Sequence, residues 1–359
     1  MKRTVLIAVG LVVALTLSSC SSMMYYVQSV RGQLDVWSRQ RDIEAVVASP
    51  DTPAPLRQKL MTALKIREFA STELGLPQNA SYRSYANLER PYVVWNVFAA
   101  PEFSIEPRQW CFLFVGCVTY RGYFSKAEAE AFARNTEREG YDVHVGGVPA
   151  YSLLGYAPDP VLNTFVNYST PYFARLIFHE LAHQVVYVRD DTEFNESFAV
   201  TVERAGLERW LARHGTEEER ATYAQLRQRQ DDFVELIERY RERLKALFET
   251  SLPRDAMRAE KMRIYEAMHQ EYLGLKARWG GFAGYDRFFA DKPNNALLAS
   301  IAIYTKKVPA FQALLDREGG DLQRFYAAAR RLARMNKAER TALLENLMPR
   351  TAGAAAAAH

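Results

Sequence analysis

Residues 178–184 read Phe-His-Glu-Leu-Ala-His-Gln, and inside that run His179, Glu180 and His183 keep the spacing H-E-x-x-H. On an α-helix, positions i and i+4 share a face about one turn apart. His179 and His183 can therefore present two imidazoles to one metal ion, with Glu180 beside them to take a proton from water held there. The plainer reading is a helix with structural histidines. Further along comes Asn195-Glu196-Ser197-Phe198-Ala199. A structural zinc site is closed by four protein ligands, whereas a catalytic one has three and leaves a position for water. His179, His183 and Glu196 make a catalytic set for Zn2+. Glu196 could instead be a first-turn residue favoured by the helix dipole, but the histidine pair needs a partner. Arg189, Asp190, Asp191 and Thr192 suit a turn between two helices, and the small Ala199 lets those helices approach closely.

Similar motifs extend well beyond this pair. Trp110-Cys111-Phe112, Gly116-Cys117-Val118 and Tyr120-Arg121-Gly122-Tyr123-Phe124 lie upstream, followed by Gly140-Tyr141-Asp142-Val143, Ala150-Tyr151-Ser152 and Asp159-Pro160-Val161-Leu162; Asn294-Asn295-Ala296 lies downstream. With these, the chain resembles the bacterial predicted-aminopeptidase family, a group of zincin-type envelope proteins, over most of its mature length. The resemblance implies a zinc peptidase of the glutamate-ligand class, and aminopeptidase activity as the family label has it. Glutamate zincins often carry an Asp four residues after the ligand Glu, bonded to a ligand histidine. Val200 stands there instead. Glu203, one further turn along the same face, is the substitute.

Other side chains are candidates for supporting roles. Tyr187 follows His183 by four residues and either hydrogen-bonds the scissile group or a ligand, or only packs. Tyr151, on an expected sheet edge, is a candidate oxyanion donor. Asp190, Asp191 and Glu193 can anchor a free peptide amine or simply form a solvated turn. His144, His214 and His269 lack partners at ligand spacing and read as surface or core residues.

Met1-Lys2-Arg3, an apolar run to Leu17 and the small Ser18-Ser19 before Cys20 describe a secretory leader, too short for a span of about 20 residues. Leu17-Ser18-Ser19-Cys20 resembles a bacterial lipobox. That resemblance makes Cys20 the lipidated N-terminus, and Ser21 after it implies outer-membrane sorting, facing the periplasm. Cys111 and Cys117 remain, and in an oxidising compartment they should pair. The 46 basic and 42 acidic residues leave a net charge of +4, no nucleic-acid footprint.

The elements that must position these residues follow from periodicity. Met23–Ala48 and Leu56–Leu74 read as an N-terminal helical hairpin. Pro91–Phe98, Phe112–Val115, Val118–Phe124 and Tyr141–Val145 read as strands of a small mixed sheet, with a helix from Lys126 capped by Ser125. From Pro171 the pattern is helical: Tyr172–Val188 carries the histidines and Asn195–Arg213 carries Glu196. Thr216–Phe248 with Pro253–Trp279 is a long charged hairpin, either a solvated strut or a partner-binding arm. The expected fold is α+β, mostly α, zincin-like, with a small sheet and a large helical part. Its divisions are a signal peptide (1–20), a helical hairpin (21–80), a sheet region (81–165), a helical zincin domain (166–350) and a frayed tail (351–359). The expected function is hydrolysis of peptide bonds by metal-activated water. The alternatives are a non-catalytic scaffold that keeps the zinc-bound helix pair, or a metal amidase acting on cell-wall peptides.

Overall fold

The computed structural model describes residues 23–112, 116–290 and 292–348, so the leader, Cys20 and the Ala-rich tail lie outside the described residues. The described residues begin with helix α1 (23–38). It continues through β1 (Arg41–Asp42), α2 (Ile43–Ala48), α3 (Ala54–Thr72) and β2 (Ser84–Ala86). The expected hairpin of two helices is therefore interrupted by β1 and α2. Val36 of α1 and Leu60, Ile66 and Phe69 of α3 enter the same core as the histidine-bearing helix.

Strands β3 (Val94–Pro101), β4 (Trp110–Phe112), β5 (Gly116–Val118) and β6 (Arg121–Tyr123) come next, then α4 (Lys126–Arg138), β7 (Tyr141–Val148) and β8 (Val161–Leu162). Among the described residues they form three sheets: β6-β3-β7, β1-β2-β8 and the β4-β5 pair. The central sheet is antiparallel throughout, not mixed as expected. The one parallel pairing, β2 with β8, lies in the other three-stranded sheet. Strands of two or three residues from distant segments carry too short a pattern to be recognised in sequence. Along β3, Trp95 and Val97 pack with Trp110, Ala129 and Ala133 under α4, while Phe98 packs with Ala296 and Ile303 on the other side. Residues of alternate parity reach opposite faces of the sheet.

The remainder is helical: α5 (Thr170–His183), α6 (Thr192–His214), α7 (Glu217–Phe248), α8 (Arg254–Arg278), α9 (Asp286–Ala290), α10 (Asn295–Thr305), α11 (Val308–Arg317), α12 (Leu322–Ala333) and α13 (Lys337–Leu347). Helices α5 and α6 pack closely where Gly206 of α6 faces Phe178 of α5. A Cβ there would stand 2.7 Å from Leu74 and 3.0 Å from Phe178. The α7–α8 hairpin is no bare strut. Phe233, Leu236, Ile237 and Leu244 pack on Ile264, Met268 and Tyr272 in a core of their own. Its buried Lys261 donates to Asp142 Oδ2 at 2.6 Å, tying the hairpin to β7. Asn295 fixes α10 at the same corner: its N–H donates to Asp142, its amide to the carbonyls of Pro101 and Glu102, and it accepts from Tyr265.

Candidate active site

Helix α5 opens with Pro171 in its first turn, where a missing N–H costs nothing. It buries Phe173, Ile177, Phe178 and Leu181 in the main core. The opposite stripe, Tyr172, Arg175, Leu176, His179 and His183, lines a cavity of about 670 Å³. The helix stops at His183, short of the expected end at Val188. Asn195 explains this: its side chain accepts from the Val188 N–H at 2.7 Å and donates to the Val188 carbonyl at 2.8 Å, holding residues 185–190 as a loop. Helix α6 begins after Asp191, whose carboxylate caps the Phe194 N–H at 3.2 Å. Arg340 from α13 grips that same carboxylate at 2.7 and 2.9 Å. From this anchored start, Glu196, Val200 and Glu203 face the cavity.

His179, His183 and Glu196 converge as the spacing predicts. His179 Nε2 lies 3.2 Å from Glu196 Oε2 and 3.2 Å from His183 Nε2, and His183 Nε2 lies 3.7 Å from Glu196 Oε2. These atoms form a possible metal-ion site. Atoms bound tetrahedrally to a zinc at about 2.0–2.2 Å stand roughly 3.3–3.6 Å apart, so the triangle fits such an ion. The donor chemistry agrees, because His179 Nδ1 is already engaged, 2.8 Å from Glu203 Oε2, leaving Nε2 to point at the centre. Arg175 Nε donates to the other Glu203 oxygen at 2.6 Å. Glu203 is thus the histidine partner expected from its position.

The metal-free electrostatics follow from burial and these pairings. Burial pushes Glu180 up, against the pull of His179 and His183. Burial also opposes the charge of Glu196, but His183 and His179 outweigh it and hold the carboxyl at about 2. Glu203 is lowered overall, because Arg175 and His179 overcome its burial. Burial disfavours charge on His179, yet Glu196 and Glu203 keep it well above the ordinary histidine range. Glu180 lines the cavity, and no hydrogen bond engages its carboxylate among the described residues.

Three tyrosines surround this centre. Tyr187 lines the cavity from the loop after α5, not from a continued helix face. Tyr120 and Tyr304, which sequence reasoning missed, line it from the segment before β6 and from α10. Burial raises all three, and Glu196 raises each further. Only the resemblance around Tyr120-Arg121-Gly122 and Asn294-Asn295-Ala296 hinted that those segments matter. Tyr151 lines the cavity too, but its hydroxyl donates to Gln33 of α1, and Ala150-Tyr151-Ser152 is a loop beyond β7 rather than a strand edge. The acidic turn residues are committed elsewhere. Asp191 holds Arg340, Glu193 pairs with Lys306 and Lys307, and Asp190 accepts from the Cys117 N–H at 2.5 Å. His144, His214 and His269 stack on Phe98, Trp210 and Phe289, away from the centre.

A family model described as Putative aminopeptidase matches residues 24–344. The chain belongs to that family. No curated protein and no solved structure matches it. For this member of the aminopeptidase family, the match spans α5 and α6 with the His179-His183-Glu196 group, the sheet and α10, so every element that lines the centre lies inside it. Cys111 and Cys117 are joined in a disulfide across the β4-β5 pair, where they stand directly opposite each other.

Proposed function

We propose that this aminopeptidase-family protein is a zinc-dependent peptidase of the bacterial cell envelope, lipid-anchored through Cys20 at the outer membrane and facing the periplasm. One observation carries the catalytic part: the convergence of His179, His183 and Glu196 beside a buried Glu180 whose carboxylate has no hydrogen bond among the described residues. The three ligands would hold Zn2+, which supplies a Lewis acid for a peptide carbonyl and acidifies water. Glu180 takes the proton of the attacking water and passes it to the leaving amine. Tyr120, Tyr187 and Tyr304 carry hydroxyls into the same cavity and can donate to the carbonyl oxygen as negative charge develops. Glu203 and Arg175 keep the His179 ring turned toward the centre. A non-catalytic scaffold would have no use for Glu180. The leader and the Leu17-Ser18-Ser19-Cys20 run support the envelope and the anchor.

The test is elemental analysis of the mature protein together with hydrolysis of a mixed peptide library, with and without chelator. About one zinc per chain and chelator-sensitive hydrolysis are expected. Full metal occupancy in a His179→Ala, His183→Ala double variant would remove the ligand assignment, and zinc-loaded protein that cleaves nothing would leave the scaffold reading. Membrane fractionation of Cys20→Ala tests the anchor: a variant that still sediments with membranes, its N-terminus trimmed, would overturn it.

A further inference from the structure

Asn96 is the unexplained group in the cavity wall. It lies at the middle of β3, is only 5 % exposed, and lines the cavity together with Val94. Its neighbours Trp95 and Val97 face the opposite core. No hydrogen bond engages its carboxamide among the described residues, so its donor and acceptor face the cavity. Its cross-strand partners are glycines on both sides, Gly122 on β6 and Gly146 on β7. Residues directly opposite each other project to the same face, so neither neighbour covers the amide. A Cβ on Gly122 would stand 3.1 Å from Asn96 Oδ1. His144 and Phe98 stand 3.4 and 4.0 Å from the corresponding position on Gly146, whereas only Asn96 itself lies within 4 Å of that on Gly122, so the sheet keeps an open strip beside the amide over Gly122. Two residues on, and on the same face, the Phe98 ring packs against the Tyr120 ring at 5.7 Å, so the strip leads toward the tyrosines of the centre.

The charges in the cavity point the same way. Glu196 faces the histidines, Glu203 is held by His179 and Arg175, and Arg204 donates to Asp231. Glu180 is the proposed base. No carboxylate among the described lining residues remains to bind a substrate α-ammonium. Most of the rest of the wall is apolar or aromatic, including Tyr25, Phe112, Phe124, Tyr151 and Leu154, and Ser29, Ser152, Gln230 and Thr305 add uncharged polar groups.

Resting on the peptidase reading above, we infer that the cleft cuts internal peptide bonds in apolar segments and needs no free amino terminus, with Asn96 binding the substrate main chain through both its amide donor and its carbonyl acceptor. An exopeptidase that requires a terminal amine needs a group to recognise it, and this cleft offers an uncharged amide instead.

The test uses the zinc-loaded mature chain and three substrates: a quenched peptide with a central Phe–Leu bond, its N-acetylated twin, and a leucyl coumarin amide. The two peptides should be cleaved with kcat/KM within about threefold of each other, and the leucyl amide about 100-fold more slowly or worse. Loss of cleavage on acetylation, or preference for the leucyl amide, overturns the inference while leaving the peptidase reading intact. No cleavage of any of the three by zinc-loaded protein overturns both. Asn96→Ala and Gly122→Ala should each raise KM about tenfold with zinc retained, the equivalent of one lost hydrogen bond. In metal-free form the same two variants should bind the acetylated peptide more weakly than metal-free wild type by the same factor, measured by calorimetry. Asn96→Asp, nearly the same shape, should shift preference about tenfold toward the free-amine peptide. Unchanged KM in both alanine variants and unchanged preference in Asn96→Asp would remove Asn96 from substrate binding.

Discussion

Glu196 and Glu203 stand on one face of α6 and differ only in what they meet. Glu196 faces two imidazole Nε2 atoms, whereas Glu203 faces an Nδ1 and a guanidinium. One therefore belongs to the centre and the other supports it from behind. Glu180 is next to His179, has no hydrogen bond on its carboxylate among the described residues, and is the base of the proposed reaction. Glu180→Gln keeps the shape and removes the basic oxygen, so zinc content should stay near wild type while kcat falls at least about 100-fold. Wild-type turnover by Glu180→Gln on any substrate of the native protein would exclude it as the base. The residues at this scale divide by how their spacing arises. His179, His183, Glu196 and Glu203 were legible because helical periodicity places them before any tertiary contact is known. Tyr120 and Tyr304 were not, because only the packing of the segment before β6 and of α10 on the Phe98 face of β3 brings them to one place. Tyr187 was expected on a continued helix, but the side chain of Asn195 ends that helix and presents it from a loop.

At the scale of elements, the position of α6 depends on its first turn. Asp191 is 2 % exposed and meets both Nε and Nη2 of Arg340, itself 3 % exposed, while Lys307 Nζ stands 3.6 Å from the same carboxylate. Removing one partner of such a pair leaves a buried charge behind. Arg340→Ala should cost about 3 kcal/mol of unfolding free energy and also weaken zinc binding, because Glu196 rides on the helix that Asp191 anchors. Urea denaturation and competitive zinc titration measure the two effects. A variant that loses stability yet binds zinc with wild-type affinity would separate the anchor from the site. The long helices were readable from their periodicity, and α4 also from its Ser125 cap; the structure adds Thr216 capping α7 with Glu219 answering as a capping box. The packing of the α7–α8 hairpin was not readable, since dispersed surface charge hid the stripe from Phe233 to Leu247 that forms its core. The corner built by Asn295 was equally hidden: a lone Asn shows no sign that it bridges α10, β3 and α8.

Two connections reach across the whole molecule to the loop and helix that bear the histidines. The first is the disulfide-closed β4-β5 pair, whose Cys117 N–H donates to Asp190 in the α5–α6 loop and whose Phe112 and Val118 line the cavity. Closing so short a loop restricts the unfolded chain little, so a Cys111→Ser, Cys117→Ser double variant should lose about 2 kcal/mol. It should raise KM more than it lowers zinc content, because the pair touches the cleft and not the ligands; zinc loss without a change in KM would contradict this. The second connection is Asp159, buried beneath the end of α5. It accepts from the Leu153 N–H at 2.9 Å, from Ser152 Oγ at 3.2 Å and from Gln184 Nε2 at 3.1 Å. Burial dominates these bonds, and the nearby Glu180 adds to it, so the carboxyl is pushed up to about 7. In the unfolded chain the same carboxyl titrates near 3.9. Below about pH 4 both states hold the proton and Asp159 contributes its full stability. Between about pH 4 and 7 the unfolded state gives the proton up while the folded state retains it, so that contribution is lost as pH rises through the window. The loss should reach a few kcal/mol, at roughly 1.4 kcal/mol for each unit of difference. Asp159→Asn has no proton to lose. In urea unfolding of metal-free protein, the stability difference between Asp159→Asn and wild type should therefore move in favour of the variant by that amount from about pH 4.5 to pH 8. Parallel pH curves for the two proteins would mean that Asp159 is charged in the folded state throughout the range, held by Gln184, Ser152 and the Leu153 N–H against its burial.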